Sequence, residues 1–371
     1  VKLVFTAEQD ELRDSVRRFL SAKSPISAVR ELMAEDTGYD PAVWKQMAGQ
    51  LGLQGIAIPE RFGGGGFSFV ELAIVLEETG RALLPAPYFS SAVLASYAIL
   101  DAGDDAAATA WLPSIADGSQ LATLASTEDS GEWTLEALTM PAERGADGWT
   151  LTGVKSYVVD GHIADLLLVA ARTPAGLSLF AVDGSARGLT RAALPTLDQT
   201  RRLARLEFDH TPAQLVGVDG AAGVTLARTL DKAALALAAE QVGGATRVLE
   251  MAVDYAKTRQ QFDRPIGTFQ AIKHKASEML LRVESARAAA YHGAWAVADD
   301  TDEVPTVASL AKAYCSEAFF YAAAENIQIH GGVGFTWEHD AHLYFKRAKS
   351  SQLLFGDGVF HRERLLERIG V

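Results

Sequence analysis

Between residues 121 and 208 the chain changes its period, and that change limits the folds open to it. Before and after, apolar residues recur at helical spacing. Inside, the runs 121–125, 149–151, 166–171 and 177–182 are short, apolar and separated by Gly, Asp and Pro, which is the texture of strands. Their regular spacing predicts a compact antiparallel β domain, with 203–208 as its last strand and His210-Thr211-Pro212 as its exit.

The N-terminal third reads as helix. Thr6 with Gln9 three residues on is a capping-box signature, and Leu12, Val16, Phe19 and Leu20 follow at helical spacing. Further helices are expected over 41–51 and 69–84, the latter with Val70, Ala73 and Ile74 opposed to Glu77 and Glu78. Between them, Gly63-Gly64-Gly65-Gly66 marks a loop. It lacks the Lys-Ser/Thr that completes a P-loop, so a turn is expected rather than a phosphate cradle. From residue 224 four long helices, 226–257, 269–298, 306–330 and 341–354, joined by short loops, predict a bundle. The expected fold class is therefore mostly α with a central β domain: an N-terminal helical domain (1–118), a middle antiparallel β domain (119–223) and a C-terminal four-helix bundle (224–371). More than one domain suits 371 residues, because single cores stop growing at roughly 250–300 residues.

A net charge of −13 argues against nucleic acid as a partner, since phosphate-backbone affinity comes from clustered Lys and Arg. No window offers the roughly 18 apolar residues of a membrane span, and no signal peptide is read at the start. The single cysteine, Cys315, cannot form an internal disulfide and fits a reducing compartment, so a cytoplasmic protein is expected. Its apolar surroundings suggest an inert, buried thiol.

Two motifs carry chemistry. In Thr258-Arg259-Gln260-Gln261-Phe262, Arg259 offers a rigid fork of donors, Phe262 an apolar face, and Gln270, near a helix start, a neutral donor and acceptor. In Gln328-Ile329-His330-Gly331-Gly332, the glycines allow close approach of backbone to a ligand. Taken together, at this spacing and on a helix–β–helix layout, they resemble the FAD-binding signatures of the acyl-CoA dehydrogenases. The resemblance covers essentially the whole chain. Pro59 to Gly64 and Asp198 to Arg202 add weaker matches.

That resemblance implies α,β-desaturation of an acyl-CoA thioester, with FAD bound by Arg259, Phe262 and Gln270 and by Gln328, Gly331 and Gly332 across a subunit interface. It also implies a homotetramer, or a heterotetramer with a second acyl-CoA dehydrogenase subunit, and electron-transfer flavoprotein or a similar acceptor. A carboxylate must remove the α-proton, from an apolar pocket that raises its pKa. Two are open: Asp357, two residues beyond Phe355 at the family's usual glutamate position, and Glu240, two helical turns beyond Ala233 at the other position used by some branches. Asp231 survives as a substrate-binding candidate, although the arginine expected beside Ala234 is absent. The middle domain departs too: Ser126-Thr127-Glu128-Asp129-Ser130-Gly131 only loosely echoes the family's flavin loop, and Val159 stands where a hydroxyl is usual.

The contacts expected across the interface are thus intact, while those to the flavin ring and thioester are eroded. A subunit that completes the FAD site of a mixed tetramer is the alternative this pattern suggests. A non-enzymatic helical scaffold is another, and an acyl-CoA oxidase or flavin monooxygenase a third. His330, His339 and His342 with Asp340 could be drawn as a metal cluster, but structural histidines, with Asp340 as a helix cap, are the expected reading.

Overall fold

The computed structural model describes residues 4–371. Along the sequence it runs from a helical N-terminal region through a β region to a helical C-terminal region. The helices α1 (Ala7–Lys23), α2 (Ile26–Leu32), α3 (Pro41–Leu51), α4 (Phe69–Ala82), α5 (Ser96–Asp101) and α6 (Asp105–Ala116) come first. Thr6 caps α1 as its sequence requires: the Thr6 hydroxyl accepts from Gln9 N, and the Gln9 side chain accepts from Thr6 N. A fully buried π-helical stretch, Phe89–Ala95, leads into α5.

The strands are β1 (Ala122–Ala125), β2 (Ala142–Gly145), β3 (Gly148–Val159), β4 (Leu166–Thr173), β5 (Gly176–Asp183), β6 (Leu189–Ala193) and β7 (Leu203–Val216). They form a sheet in the order β1-β4-β5-β7-β3-β2, with β6 alongside β7. Two expectations need correction. The sheet is not wholly antiparallel, because β1 pairs with β4 in parallel. Nor does the last strand leave at His210-Thr211-Pro212: β7 runs on, with Pro212 opposite Thr150 and Leu215 opposite Phe180. Leu151, Val169, Phe180 and Leu206, each fully buried, centre the core of this region.

The C-terminal region holds α7 (Ala222–Thr258), α8 (Gln270–Ala298), α9 (Val304–His330), α10 (Ala341–Leu353) and α11 (Gly358–Ile369). The expected four helices are present, and α11 is a fifth that the sequence reading missed. No helix among the described residues is long and apolar enough to cross a membrane.

The chain divides into two compact units that do not follow this linear order. One comprises the chain up to Arg30, Phe69–Leu84 and Ala234–Val371; the other comprises Glu31–Ser68 and Pro85–Ala233. In the first unit, α4 and α7 cross at glycines. A Cβ on Gly243 would lie 1.7 Å from the Glu77 carbonyl oxygen, and one on Gly80 2.0 Å from that of Glu240. Glycine here is a packing requirement. The acidic pair Glu77 and Glu78, opposed in the sequence to the apolar Val70, Ala73 and Ile74, is buried as well. Glu77 is bound by Arg13 at 2.6 Å, by the Tyr291 hydroxyl at 2.5 Å and by Arg287; Arg17 grips Glu78 through two nitrogens at 2.6 and 2.9 Å. Burial favours the neutral form of Glu77, but Arg287 and Arg13 outweigh it and hold the carboxyl below its usual range.

Candidate functional site

The first motif begins where α7 ends. Arg259 N still donates to Tyr255 O at 2.8 Å; Gln260–Gln261 then pairs with Arg264–Pro265 as a two-stranded ribbon. Its two-residue turn is Phe262-Asp263, with φ of 53° and 57°. Two successive positive φ values mark the primed turn that matches ribbon twist, usually built from Asn and Gly. A phenylalanine there is strained, at about 1–3 kcal/mol, and it is 86% exposed. Its ring meets only the edge of Phe269 within this motif, at 6.0 Å, and Arg264 lies 4.2 Å over that same Phe269. Arg259 and Gln270 are exposed as well.

The second motif closes α9. Gly331 has φ 65° and ψ −145°, a conformation essentially reserved for glycine. Gly332 is different: its φ is not positive, and a Cβ there would find nothing of this chain within 4 Å. Gln328, Gly331 and Gly332 are all exposed.

Tyr255 and His330 bring the motifs together. Their rings stack at 4.2 Å, joining the last turn of α7 to that of α9, and His339 packs on the other ring neighbour at 4.4 Å from His330. His330 Nδ1 donates to Asn326 O at 2.8 Å, and burial lowers its pKa, which favours the neutral ring. No group of ligand-type side chains suited to a metal occurs among the described residues. His342 donates to Trp337 O at 3.0 Å, and His339 accepts from Ala341 N at 3.1 Å. Asp340 makes no cap hydrogen bond to α10, contrary to expectation; it pairs with Arg30 at 2.9 Å.

The two candidate bases occupy built positions. Glu240, 4% exposed, accepts from Arg347 at 2.8 Å, and Arg347 is itself 3% exposed. Asp357 caps α11, its Oδ1 accepting from Val359 N at 3.0 Å and Phe360 N at 2.9 Å. The structure therefore gives both carboxylates structural work. Phe355 is buried at φ 61°, and Ala233 and Ala234 are buried too. Asp231 is buried on α7 beside Lys232, which grips Asp101 at 2.5 Å.

In the β region the loop 126–131 is organised by a pair the sequence reading did not find. Lys155, with no exposed surface, donates to Glu128 at 2.8 Å, and Glu128 also accepts from Thr139 N and Met140 N. Burial would raise the Glu128 pKa, but hydrogen bonds from Lys155 and Met140 hold it at about 2. Tyr157 follows at an irregularity of β3, with φ 57° and the residue 41% exposed. Val159 is buried, and its carbonyl accepts from the Thr123 hydroxyl at 2.6 Å.

Three family models match in sequence along the chain: acyl-CoA dehydrogenase N-terminal domain over residues 6–119, middle domain over 123–211, and C-terminal domain over 222–370. The chain belongs to the acyl-CoA dehydrogenase family. Members of this family are FAD-dependent oxidoreductases. Among similar members is acyl-CoA dehydrogenase IpdE2 of Mycobacterium tuberculosis, 39% identical over 94% of this chain and 93% of that one. A solved variant of the Tcur3481–Tcur3483 steroid ACAD superimposes with a TM-score of 0.89 at 31% identity, covering 98% of each chain. The ChsE4–ChsE5 complex from Mycobacterium tuberculosis gives 0.91 at 29% identity, covering 100% of this chain and 99% of that one.

Within this acyl-CoA dehydrogenase the two motifs fit FAD on structural grounds. Arg259 is an exposed guanidinium suited to a pyrophosphate. Gly332 is exposed, and its bare backbone leaves room for close approach of a ligand.

Proposed function

We propose that this chain is the FAD-site-completing subunit of a two-chain acyl-CoA dehydrogenase, whose partner chain supplies the base that removes the α-proton. The observation that carries this reading is the state of the carboxylates. Phe355 and Ala233 stand at the positions where the family carries its base, Glu240 is committed to Arg347, and Asp357 caps a helix. The names of the Tcur3481–Tcur3483 and ChsE4–ChsE5 relatives, each joining two chains, support it.

In this reading Arg259 binds the pyrophosphate, Phe262 covers the adenine side, and Gln270 and Gln328 supply neutral hydrogen bonds. Gly331 and Gly332 let backbone N–H groups approach the same anion. When bound, FAD supplies the acceptor for the hydride that leaves the β-carbon. The strain and exposure of Phe262 suit a side chain that is covered on assembly. Asp231 remains the candidate on this chain for a substrate contact. The substrate class we propose is a steroid-derived acyl-CoA, following the steroid ACAD relative. A heterotetramer in the cytoplasm, reoxidised by electron-transfer flavoprotein or a similar acceptor, completes the proposal.

The test is to purify the chain alone and together with a second dehydrogenase chain that has a glutamate at the family's base position. Flavin per chain and acyl-CoA dehydrogenation are then measured in each preparation. The expected result is turnover only in the two-chain enzyme, with Asp357→Asn, and the paired Glu240→Leu with Arg347→Met, retaining it. Full FAD occupancy and turnover by the chain alone, abolished by Asp357→Asn, would instead make Asp357 the base.

A further inference from the structure

The two motifs assigned to FAD lie at the ends of different helices, Arg259 just past α7 and Gly331 just past α9. Helix ends fray, because their last carbonyls lack intrahelical partners. A site shared by two such ends therefore needs a contact that sets one against the other. Tyr255 and His330 make it. Arg259 N donates to Tyr255 O at 2.8 Å, which ties the arginine to the last turn of α7. The half-buried Tyr255 stacks its ring on that of His330 at 4.2 Å, with 27° between the planes. His330 is the last residue of α9 and is joined directly to Gly331. One hydrogen bond, one ring contact and one peptide bond thus link the arginine of the first motif to the glycines of the second.

His330 is itself fixed. It is 6% exposed, and its Nδ1 donates to Asn326 O at 2.8 Å, one turn back along α9. His339 packs at 4.4 Å from the same ring and is oriented in turn by Ala341 N, which donates to its Nδ1 at 3.1 Å. The glycine turn folds back on this side chain: a Cβ on Gly334 would lie 2.8 Å from His330 Cβ and 3.0 Å from Ile327 O. The imidazole is therefore a fixed post, and Tyr255 leans the first motif against it. An aliphatic side chain at 255 would bury apolar area there too, but only a ring on a ring sets both separation and angle.

We propose that Tyr255 and His330 are positioning residues that set the spacing between Arg259 and the Gly331–Gly332 turn, so that both grip one FAD pyrophosphate. The inference rests on the reading above for the presence of FAD on these motifs. Holding the two ends in register before FAD arrives removes an ordering cost from binding. The stack can lend to binding no more than its own worth, which for an aromatic pair is several-fold, up to about tenfold in an equilibrium constant.

The test uses the assembled two-chain enzyme and reads FAD affinity from flavin release on dilution. Tyr255→Leu should weaken FAD binding several-fold, up to about tenfold, and Tyr255→Phe, which keeps the ring, should restore the parent value. His330→Asn, which keeps a donor near the place of Nδ1 but loses the ring, should match Tyr255→Leu. In an Arg259→Met background there is no arginine left to place, so Tyr255→Leu should cost little further. A merely structural contact would cost the same in both backgrounds. Parental affinity in Tyr255→Leu overturns the proposal, as do full additivity with Arg259→Met and failure of Tyr255→Phe to restore binding. If Tyr255→Leu does not assemble, His330→Asn decides the matter by the same criteria. Flavin lost in Arg259→Met but kept in Tyr255→Leu defeats this proposal alone. Flavin kept in Arg259→Met defeats the placing of FAD on these motifs, and this proposal with it.

Discussion

Arg347 and Glu240 form an ion pair at 2.8 Å with 3% and 5% of their side chains exposed, linking α10 to α7. A buried pair is expensive to assemble and more expensive to break, because either partner left alone is an uncompensated charge. Arg347→Met should therefore destabilise the protein by about 3–5 kcal/mol in chemical denaturation. Pairing it with Glu240→Leu should recover most of that loss. Equal destabilisation in the single and double variants would show that the pair is not what holds Glu240.

The crossing of α4 and α7 makes a different demand. At Gly243 the obstacle to a Cβ is the carbonyl oxygen of Glu77, 1.7 Å away, and helix backbone cannot swing aside as a side chain can. Gly243→Ala should cost about 2–3 kcal/mol or more, or abolish soluble expression, despite alanine's better helix propensity. A melting temperature at or above that of the parent would mean the two helices separate more cheaply than their contact suggests.

His361 ties stability to pH. Burial first, and then the nearby Lys312, lower its pKa to about 3, while its bond to Phe355 O opposes the shift. Between about 6.5 and 3 the unfolded chain takes up a proton that the folded chain declines, so stability is full above pH 6.5 and falls as pH drops through that window. Lys312 acts in the same sense at higher pH. Its pKa of about 7 lies below its ordinary value of 10.5, so stability rises from pH 7 toward 10.5. His361→Gln should flatten the acid limb, and Lys312→Met should flatten the alkaline limb and, by removing a cation that depresses His361, also soften the acid one. Urea titrations at pH 4, 6, 8 and 10 would separate the two.

What the sequence made legible was local. The capping box at Thr6, the strands over 166–171 and 177–182 and the FAD motifs each depend on residues a few positions apart, and each lies in the expected kind of element. What it hid was pairing at a distance. Glu240 looks like a lone acid after an apolar stretch until Arg347, 107 residues on, is placed beside it. Asp357-Gly358 resembles the family's Glu-Gly until α11 is seen to start there, which makes the aspartate a cap. Lys312 did leave a trace, as a lysine between alanines in an otherwise apolar stretch of α9, but only the carbonyls of Gln352 and Gly356 explain it. The exposed strand β6 lacked the apolar alternation that marks a strand.

Gly332 offers a way to separate folding from the proposed cofactor contact. Gly331 needs its glycine for backbone reasons, so Gly331→Ala would perturb the turn whether or not a ligand is present. A Cβ on Gly332, by contrast, enters open space within this chain, and the residue is exposed, with no positive φ to strain. Gly332→Ala should leave the melting temperature of the isolated chain within a degree or two of the parent, since exposed substitutions of this kind stay within about 0.5 kcal/mol. In the assembled enzyme the same methyl should push against whatever the bare backbone was shaped to approach. Flavin retained after gel filtration should then fall several-fold, and Arg259→Met should produce a comparable loss by removing a bidentate anion contact. If Gly332→Ala retains flavin as the parent does, while Arg259→Met loses it, the pyrophosphate lies on the α7–α8 loop alone, and the glycine turn has another use.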